Sequence, residues 1–392
     1  MSQQSKSEYL KTMRERYRRR PGRKARGVLI DEVCAVCGYE RKYAIKVLSG
    51  QRNGALGRRR GGPRPRYDPQ EDRVVLKTIW LAAEQPCGKR LKAMIPLWLP
   101  HYEREHGALE QPQRDRLRAM SASTMDRLLA VCRARLGARG RCGTRPGTLL
   151  RTQIPVRTEH WDVHGPGYLE ADTVAHCGNS MAGDFCHSLT LTDIHTQWTE
   201  TRAIWNRGQH AVIERIAQVE ATLPFEVLGF DSDNGGEFIN WHLYRHFQVR
   251  PKVVAFTRSR SYRKNDNAHV EQKNWTHVRQ LVGYSRLEHP QQAELLNALY
   301  AEQWSPFRNF FCPVMKHLRT EVTGSKKRRI YDHPQTPLER LARCPGVDPE
   351  KLAALQRQKD AINPFELKRG IERNLRALLR YRPDARRPCA AA

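Results

Sequence analysis

The stretch FDSDNGGEF, residues 230–238, sets Asp231, Asp233 and Glu237 around an Asn-Gly-Gly turn. The residues FEVLGF that lead into it predict a strand that stops at the turn. Gly235 and Gly236 allow the backbone to turn sharply after this strand, so that Asp233 points into a site at its end. The stretch lies in an acidic island, because residues 160–240 carry 12 Asp+Glu against 3 Arg and no Lys, a net charge of −9.

The segments on either side of this stretch alternate between strand and helix patterns. YLEADTVAHCG predicts one strand and CHSLTLTDIHTQWTETRAIWN two more, while QHAVIERIAQVEATLP predicts an amphipathic helix. A short helix, a strand (KVVAFT) and a further helix (HVEQKNWTHVRQLVGY) follow the acidic stretch. This is the order of a ribonuclease-H-like α/β core with a mixed five-stranded sheet, predicted over residues 155–290.

Three carboxylates occupy particular places in that order. Asp172 falls in the first strand, Asp233 at the carboxyl end of the fourth, and Glu271 near the start of the late helix. Such positions converge, and carboxylate oxygens are the ligands that hold two divalent ions about 4 Å apart for phosphoryl displacement. The sequence therefore predicts a site for two Mg²⁺ ions, with Mn²⁺ able to substitute.

Three segments together carry a resemblance to a known family. EADTVAHCG, FDSDNGGEF and NDNAHVEQKNWTHVR resemble the catalytic core of DDE transposases and retroviral integrases, in particular bacterial insertion-sequence transposases. The likeness covers roughly residues 160–285 and includes the 38-residue separation of Asp233 and Glu271. It implies that Asp172, Asp233 and Glu271 are the catalytic triad.

The resemblance is incomplete after the glutamate. Many relatives carry a basic residue one or two helical turns later, but Trp275 and Val278 stand there in this chain. The nearby cations are Lys273 and Arg279, and either is a candidate for contacting a DNA end.

Three other polar residues near the triad have alternative interpretations. Asp231 is predicted to be solvated or to cap a helix, and Glu237 to lie at a helix N-terminus, where the helix dipole favours an acid. His176 lies four residues after Asp172, on the same strand face. It is a candidate accessory residue near the metals, or a hydrogen-bonded structural histidine.

The overall charge predicts a polyanionic partner. The 392 residues carry a formal net charge of +28, with 69 Lys+Arg and a sequence pI near 10.1. Clustered cations release counterions when they meet phosphates, so double-stranded DNA is the expected partner. We find no apolar leader and no membrane-spanning stretch, which predicts a cytoplasmic, nucleoid-associated bacterial protein. Cys34 and Cys37 have no further zinc ligand nearby and are predicted to fill a small helical core.

The basic residues before the core predict two DNA-binding units. Residues 1–56 have the outline of a helix-turn-helix with a break at 37–39, although a plain helical hairpin shows the same periodicity. Residues 57–70 form an Arg/Gly/Pro linker, either solvated or lying in a minor groove. Residues 71–147 predict a second helical domain. The candidate DNA contacts here are Arg41, Lys42, Lys46, Arg58, Arg59, Arg60 and Arg127.

Two further basic segments lie within and after the core. The loop RSRSYRKNDNA is expected to grip phosphates through Arg260, Arg263 and Lys264. Residues 291–392 are predicted to be mostly helical, and to contact DNA or a second subunit.

These observations favour a DNA transposase that cleaves the ends of its element and joins the 3′ hydroxyls to target DNA as a homo-oligomer. A nuclease of the same fold that cleaves without joining is one alternative. A DNA-binding regulator derived from a transposase, and no longer catalytic, is the other.

Overall fold

Two compact units divide the chain, Met1–Tyr67 and Asp68–Ala392. The computed structural model describes residues 3–19, 22–49, 67–68, 70–134, 163–233, 235–258, 268–323 and 326–383. The predicted linker at 57–70, the break at 139–147 and the basic loop at 259–267 lie largely or wholly outside these residues. The domain boundaries placed there therefore remain predictions.

The first unit contains three described helices, α1 (Gln3–Arg19), α2 (Arg23–Cys37) and α3 (Arg41–Ser49). The helix α2 ends where Gly38 adopts a left-handed conformation (φ 67°) and donates its N–H to the Cys34 carbonyl over 3.0 Å. Apolar side chains from all three helices form a small core, and the free thiols of Cys34 and Cys37 pack against it as predicted. A short break separates α2 from α3, and the helix-turn-helix assignment and its DNA-binding role remain predictions.

The second unit begins with four helices before the sheet. They are α4 (Glu71–Ala82), α5 (Gly88–His106), α6 (Gln111–Ala119) and α7 (Ala122–Ala134). Ser121 accepts a hydrogen bond from the Thr124 amide over 3.2 Å and so caps α7. The helix α6 has no apolar stripe, because Leu117 is its only buried residue.

A mixed five-stranded sheet forms the centre of the second unit, as predicted. Its strands are β1 (Tyr168–Ala175), β2 (Cys186–Asp193), β3 (Thr199–Trp205), β4 (Gly229–Ser232) and β5 (Ala255–Arg258). Their order is β3-β2-β1-β4-β5. The β1–β2 and β2–β3 pairs are antiparallel, whereas β1–β4 and β4–β5 are parallel. The carboxyl ends of β1 and β4 therefore meet at one edge.

Helices cover this sheet in the order that the sequence predicts. They are α8 (Gln209–Thr222), α9 (Trp241–Gln248), α10 (Ala268–Lys273) and α11 (Gln280–Val282). A π-helical turn, Asn274–Arg279, joins α10 to α11 and makes one continuous helix of the three segments. Pairing of β1 with β4 aligns Ala171 with Ser232, which sets Asp172 and Asp233 one residue further along each strand direction.

The remaining chain adds helices and one hairpin. The elements are α12 (Pro290–Ala298), a π-helical turn (Leu299–Trp304), α13 (Ser305–Phe311), β6 (His317–Thr323), β7 (Lys326–Tyr331), α14 (Pro337–Leu341), α15 (Pro349–Ala361) and α16 (Pro364–Arg380). The antiparallel β6–β7 hairpin was not part of the predicted, mostly helical region.

Aromatic packing joins the helices that precede the sheet to those that follow it. The indole N–H of Trp98 in α5 donates to the Phe311 carbonyl in α13 over 3.1 Å. The Trp98 ring also lies edge-to-face on Phe365 of α16, with ring centroids 5.0 Å apart. No helix among the described residues is long and apolar enough to cross a membrane.

Candidate active site

Two aspartates of the predicted triad lie side by side at the edge where β1 and β4 meet. Asp172 accepts the Thr173 amide at 2.7 Å, and Asp233 accepts the Gly235 amide at 2.9 Å. Burial and, next in size, the neighbouring charge of Asp233 together raise the pKa of Asp172 to about 8. Burial also raises the pKa of Asp233. The two carboxylates therefore share one poorly solvated space in which their charges repel.

The third predicted residue, Glu271, approaches the two aspartates from α10. Its side chain is exposed, yet its charge contributes to the raised pKa of Asp172. The structure thus brings Asp172, Asp233 and Glu271 into one electrostatic field from three separate elements. Their catalytic role remains a prediction.

A fourth carboxylate, Glu237, completes the cluster and corrects a prediction. It precedes Asn240, the N-cap of α9, by three residues, so it does not lie at the helix N-terminus. Its side chain is only 4% exposed, accepts the Thr173 hydroxyl at 2.8 Å and pairs with Arg207. The prediction that Glu237 lies at a helix N-terminus is therefore wrong, because Glu237 belongs to the turn before α9, which begins only at Trp241.

The only sequence clue to these contacts was the position of Glu237 in the acidic stretch. Arg207 follows β3 and its side chain is 49% exposed, so it lies at the rim of the cluster. Nothing in its local sequence indicates a partner in another element, and it was not predicted.

Asn274 is a second residue that sequence reasoning missed. Its side-chain amide donates to Oδ2 of Asp172 over 2.6 Å, while its own Oδ1 is buried without a hydrogen-bond partner in the described structure. Asn274 is the first residue of the π-helical turn. A regular helical periodicity gives no indication of such a turn, which is why the contact could not be predicted.

Two buried acids lie two residues before Asp172 and Asp233 on the same two strands. Asp231 is fully buried and accepts the Thr257 hydroxyl at 2.6 Å, so the prediction of a solvated or capping residue is wrong. Its neighbour across the β1–β4 pair, Glu170, accepts the Val270 backbone amide at 3.1 Å. This bond ties the start of α10, and with it Glu271, to β1.

His176, the candidate accessory residue, is fully buried. Its Nε2 lies 2.7 Å from the Ser188 hydroxyl, which in turn lies 2.8 Å from the Tyr300 hydroxyl. Burial lowers the pKa of His176 to about 3, so the imidazole stays neutral. These contacts favour the structural interpretation of His176 over the accessory one.

The two cations after Glu271 differ in accessibility. Lys273 is only 3% exposed, and its ammonium donates to the Gln197 carbonyl at 3.4 Å. Burial and the charge of Arg308 hold the pKa of Lys273 well below its usual range. Lys273 therefore does not lie on an exposed surface, because its side chain turns into the protein, and its contact with a DNA end remains a prediction.

The prediction that Arg279 contacts DNA remains a prediction. It donates to the Ala175 carbonyl at 3.1 Å and lies over the Tyr284 ring at 4.8 Å. Both contacts hold the guanidinium against the end of β1.

The other predicted DNA contacts are exposed or lie outside the described residues. Arg41, Lys42 and Lys46 are exposed on α3, where Arg41 pairs with Asp31. Arg127 is exposed on α7 and donates to the Thr124 hydroxyl at 3.2 Å. The residues outside are Arg58, Arg59, Arg60, Arg260, Arg263 and Lys264.

Comparison with known proteins adds a relative of nearly full length. No family model matches the chain. The chain is 39% identical over 350 residues to the uncharacterized protein y4rM of Sinorhizobium fredii, a match covering 88% of this chain and 97% of y4rM. The chain belongs to the y4rM family. The name y4rM states no activity. We therefore base a proposal for the function on the geometry of the site.

Two solved structures show partial likeness to this y4rM-family chain. The catalytic core domain of BIV integrase is 16% identical, with a TM-score of 0.24, covering 30% of this chain and 70% of that one. The simian T-cell lymphotropic virus intasome in complex with PP2A regulatory subunit B56 gamma is 13% identical, with a TM-score of 0.26, covering 48% and 59%. The description of the fold rests on the strand order and strand pairing of this chain, and not on these two structures.

The carboxylate cluster has the donor chemistry of a Mg²⁺ site. Hard divalent cations prefer carboxylate oxygens, and the repulsion that raises the pKa of Asp172 is relieved by a bound cation. Among the described residues, however, no three His, Cys, Asp or Glu side chains are already gathered into a ligand set. Ligation by the whole triad therefore requires the side chains to draw together around the ion.

Proposed function

We propose that the protein is a DNA transposase of the DDE type, which cleaves the ends of its element and joins the 3′ hydroxyls to target DNA. The observation that carries this proposal is that Asp172 and Asp233 lie side by side at one edge of a β3-β2-β1-β4-β5 sheet, with Glu271 near enough for its charge to raise the pKa of Asp172. Each carboxylate comes from a different element, and the resulting negative space suits divalent ions that act on phosphates.

In this proposal Asp172, Asp233 and Glu271 hold two Mg²⁺ ions. Such ions activate the attacking oxygen and stabilise the leaving oxygen of a phosphodiester. The other residues of the site orient the ligands. The Thr173 amide and the Asn274 side chain fix the two oxygens of Asp172, and Glu170 holds the helix that carries Glu271.

Glu237 is assigned a supporting role rather than a ligand role. Its carboxylate is already engaged by Thr173 and Arg207. This pairing holds the turn after β4 against β1, which positions Asp233 beside Asp172.

Recognition of the element's terminal repeats is proposed to lie in the helices before the core. Arg41, Lys42 and Lys46 present an exposed basic surface on α3, and Arg127 adds another on α7. Such cations fix the register of a protein on phosphates, while helix side chains specify bases. The active form is proposed to be a homo-oligomer on DNA, in the bacterial cytoplasm.

The test uses the full-length protein and duplexes taken from the DNA that flanks its gene, where paired inverted repeats should lie. Asp172→Asn, Asp233→Asn and Glu271→Gln should each lower cleavage and joining by about a hundredfold or more, while leaving binding to the repeats unchanged. The exposed Glu214→Gln in α8 is the matched control and should act as wild type.

The products and the metal dependence separate the alternatives. Mg²⁺ or Mn²⁺ should support both steps and Ca²⁺ should not, because Ca²⁺ takes longer and looser coordination. Cleavage without joined products would indicate a nuclease of the same fold. Specific binding without any cleavage would indicate a regulator. Full activity in EDTA would exclude the metal mechanism altogether.

A further inference from the structure

A second charged cluster lies in a pocket that the proposed reaction does not use. The pocket is small and partly open to solvent. Three cations line it: Arg90 of α5, Lys273 at the end of α10, and Arg308 of α13. Polar donors from Gln197, Gln272 and Thr276 complete the lining, and we call the whole the cationic pocket.

The cations of this pocket lack charge partners. Arg308 is 7% exposed and Lys273 is 3% exposed. Within the described ranges, none of the three cations forms an ion pair with a carboxylate, and the Nε atoms of Arg90 and Arg308 are buried without a hydrogen-bond partner. The contacts that do exist are weak for a charge: Arg308 lies over the Trp304 ring at 5.4 Å.

Such an arrangement is unfavourable without an anion. A guanidinium cannot lose its proton in a protein, so burial of Arg308 leaves a full charge away from water. Burial lowers the pKa of Arg90, and the charge of Arg308 lowers it further. Like charges gathered in a desolvated space repel, whereas an oxyanion placed between them would satisfy the free Nε–H groups in charge-assisted hydrogen bonds.

We propose that the cationic pocket binds a phosphate-class oxyanion between Arg90, Lys273 and Arg308. The fork of an arginine suits two oxygens of a phosphate, while a lysine supplies a point charge. Two sources present this chemistry, free inorganic phosphate and a phosphate of the DNA backbone. The site is independent of the proposed metal chemistry, because none of its three cations contacts the carboxylate cluster in the described structure.

The pocket also joins three parts of the second unit. Arg90 precedes the sheet in the chain, Lys273 follows Glu271 by two residues, and Arg308 belongs to the helices after the sheet. A bound oxyanion would therefore cross-link α5, α10 and α13, and so fasten the helix that carries Glu271.

The test measures the thermal unfolding midpoint of the full-length protein in inorganic phosphate, against sodium chloride of equal ionic strength. Arg308→Gln removes one central cation, and Arg245→Gln, an exposed arginine of α9, is the matched control. Phosphate well above its dissociation constant should raise the midpoint of wild type and Arg245→Gln by several degrees, and that of Arg308→Gln by much less.

The thermal unfolding midpoint in phosphate-free buffer shows whether Arg308→Gln simply destabilises the folded protein. Arg308→Gln should melt at or above the wild-type midpoint in phosphate-free buffer, because it removes a buried charge that has no partner. A lower midpoint together with an undiminished response to phosphate would overturn the proposal.

A second arm distinguishes the two sources. If a DNA phosphate fills the pocket, Arg308→Gln should bind a short duplex about tenfold more weakly than Arg245→Gln, and phosphate should compete with the duplex. If a free anion fills it, the two variants should bind the duplex equally while differing in their response to phosphate. The proposal is overturned when the two variants agree in both measurements.

Discussion

The side-chain amide of Asn274 holds Oδ2 of Asp172 at 2.6 Å, from the first residue of the π-helical turn that follows Glu271. One side chain thus connects the strand that carries the first carboxylate to the helix that carries the third. A hydrogen bond to the ionised carboxylate stabilises it against the burial that raises its pKa to about 8.

We predict that Asn274→Ala lowers the rate of DNA cleavage about 10- to 100-fold, which is the usual cost of losing a residue that orients a metal ligand. The loss should be larger at pH 7 than at pH 9, because removal of the donor raises the pKa of Asp172 further. Gln280→Ala removes an exposed amide from the same helix and should act as wild type. Equal rates for the two variants would show that Asn274 does not position Asp172.

Gly235 and Gly236 provide a matched pair for testing the geometry of the acidic turn. A Cβ atom at Gly235 would lie 2.6 Å from a carboxylate oxygen of Glu237 and 2.9 Å from Oδ1 of Asp233, whereas one at Gly236 would meet nothing within 4 Å. Gly235→Ala should therefore displace both carboxylates and lower cleavage at least tenfold, with a small effect on the unfolding midpoint. Gly236→Ala should stay within about twofold of wild type. A normal rate for Gly235→Ala would mean that Glu237 can move without disturbing Asp233.

His176 predicts a pH dependence of stability. Its pKa is about 3 in the folded protein and near 6.5 when unfolded, so below pH 6.5 the unfolded state binds a proton that the folded state does not. The free energy of unfolding therefore falls as the pH drops from 6.5 towards 3, by about 2 kcal/mol at pH 5.

His176→Gln keeps a donor for the Ser188 hydroxyl but does not titrate. Thermal or urea unfolding at pH 7.5 and at pH 5 should show a smaller loss for this variant than for wild type. The same loss in both proteins would place the titration elsewhere, for example at the buried His187.

From the contacts of Trp98 we predict that the helices before the sheet stabilise those after it. Trp98→Phe keeps most of the ring packing but removes the N–H that donates to the Phe311 carbonyl, leaving that buried oxygen without its partner. The free energy of unfolding should fall by about 1–3 kcal/mol. Trp241→Phe changes an indole that is 47% exposed and should cost much less. Urea unfolding followed by far-UV circular dichroism measures both variants.

The sequence predicts the sheet and the convergence of the carboxylates because both depend on local patterns. Strand alternation and the glycine turn fix where Asp172 and Asp233 fall relative to their strand ends, and the helix pattern fixes Glu271. The contacts of Glu237 depend instead on Arg207 and Thr173, which lie in other elements. No local pattern contains that information.

The burial of Lys273 could not be predicted for a similar reason. Composition places a cation beside Glu271, but only the packing of α10 against its neighbours decides whether that cation meets solvent. Arg308, which lowers the pKa of Lys273, lies 35 residues further along the chain. Burial of a charge is a property of the assembled fold, and the number of charged residues in a segment does not predict it.

The π-helical turn Asn274–Arg279 gives the helix of Glu271 a shifted phase. A π turn accommodates one residue more than an α turn, so the residues on its two sides follow different angular frames. Leu281 and Val282 are buried beyond the turn, and they fix the rotation of the helix at that end. Winding the same residues as a regular α-helix would rotate Glu271 by about 100° relative to Leu281 and Val282, away from Asp172. The π turn is thus as strict a requirement for the site as the identity of the glutamate.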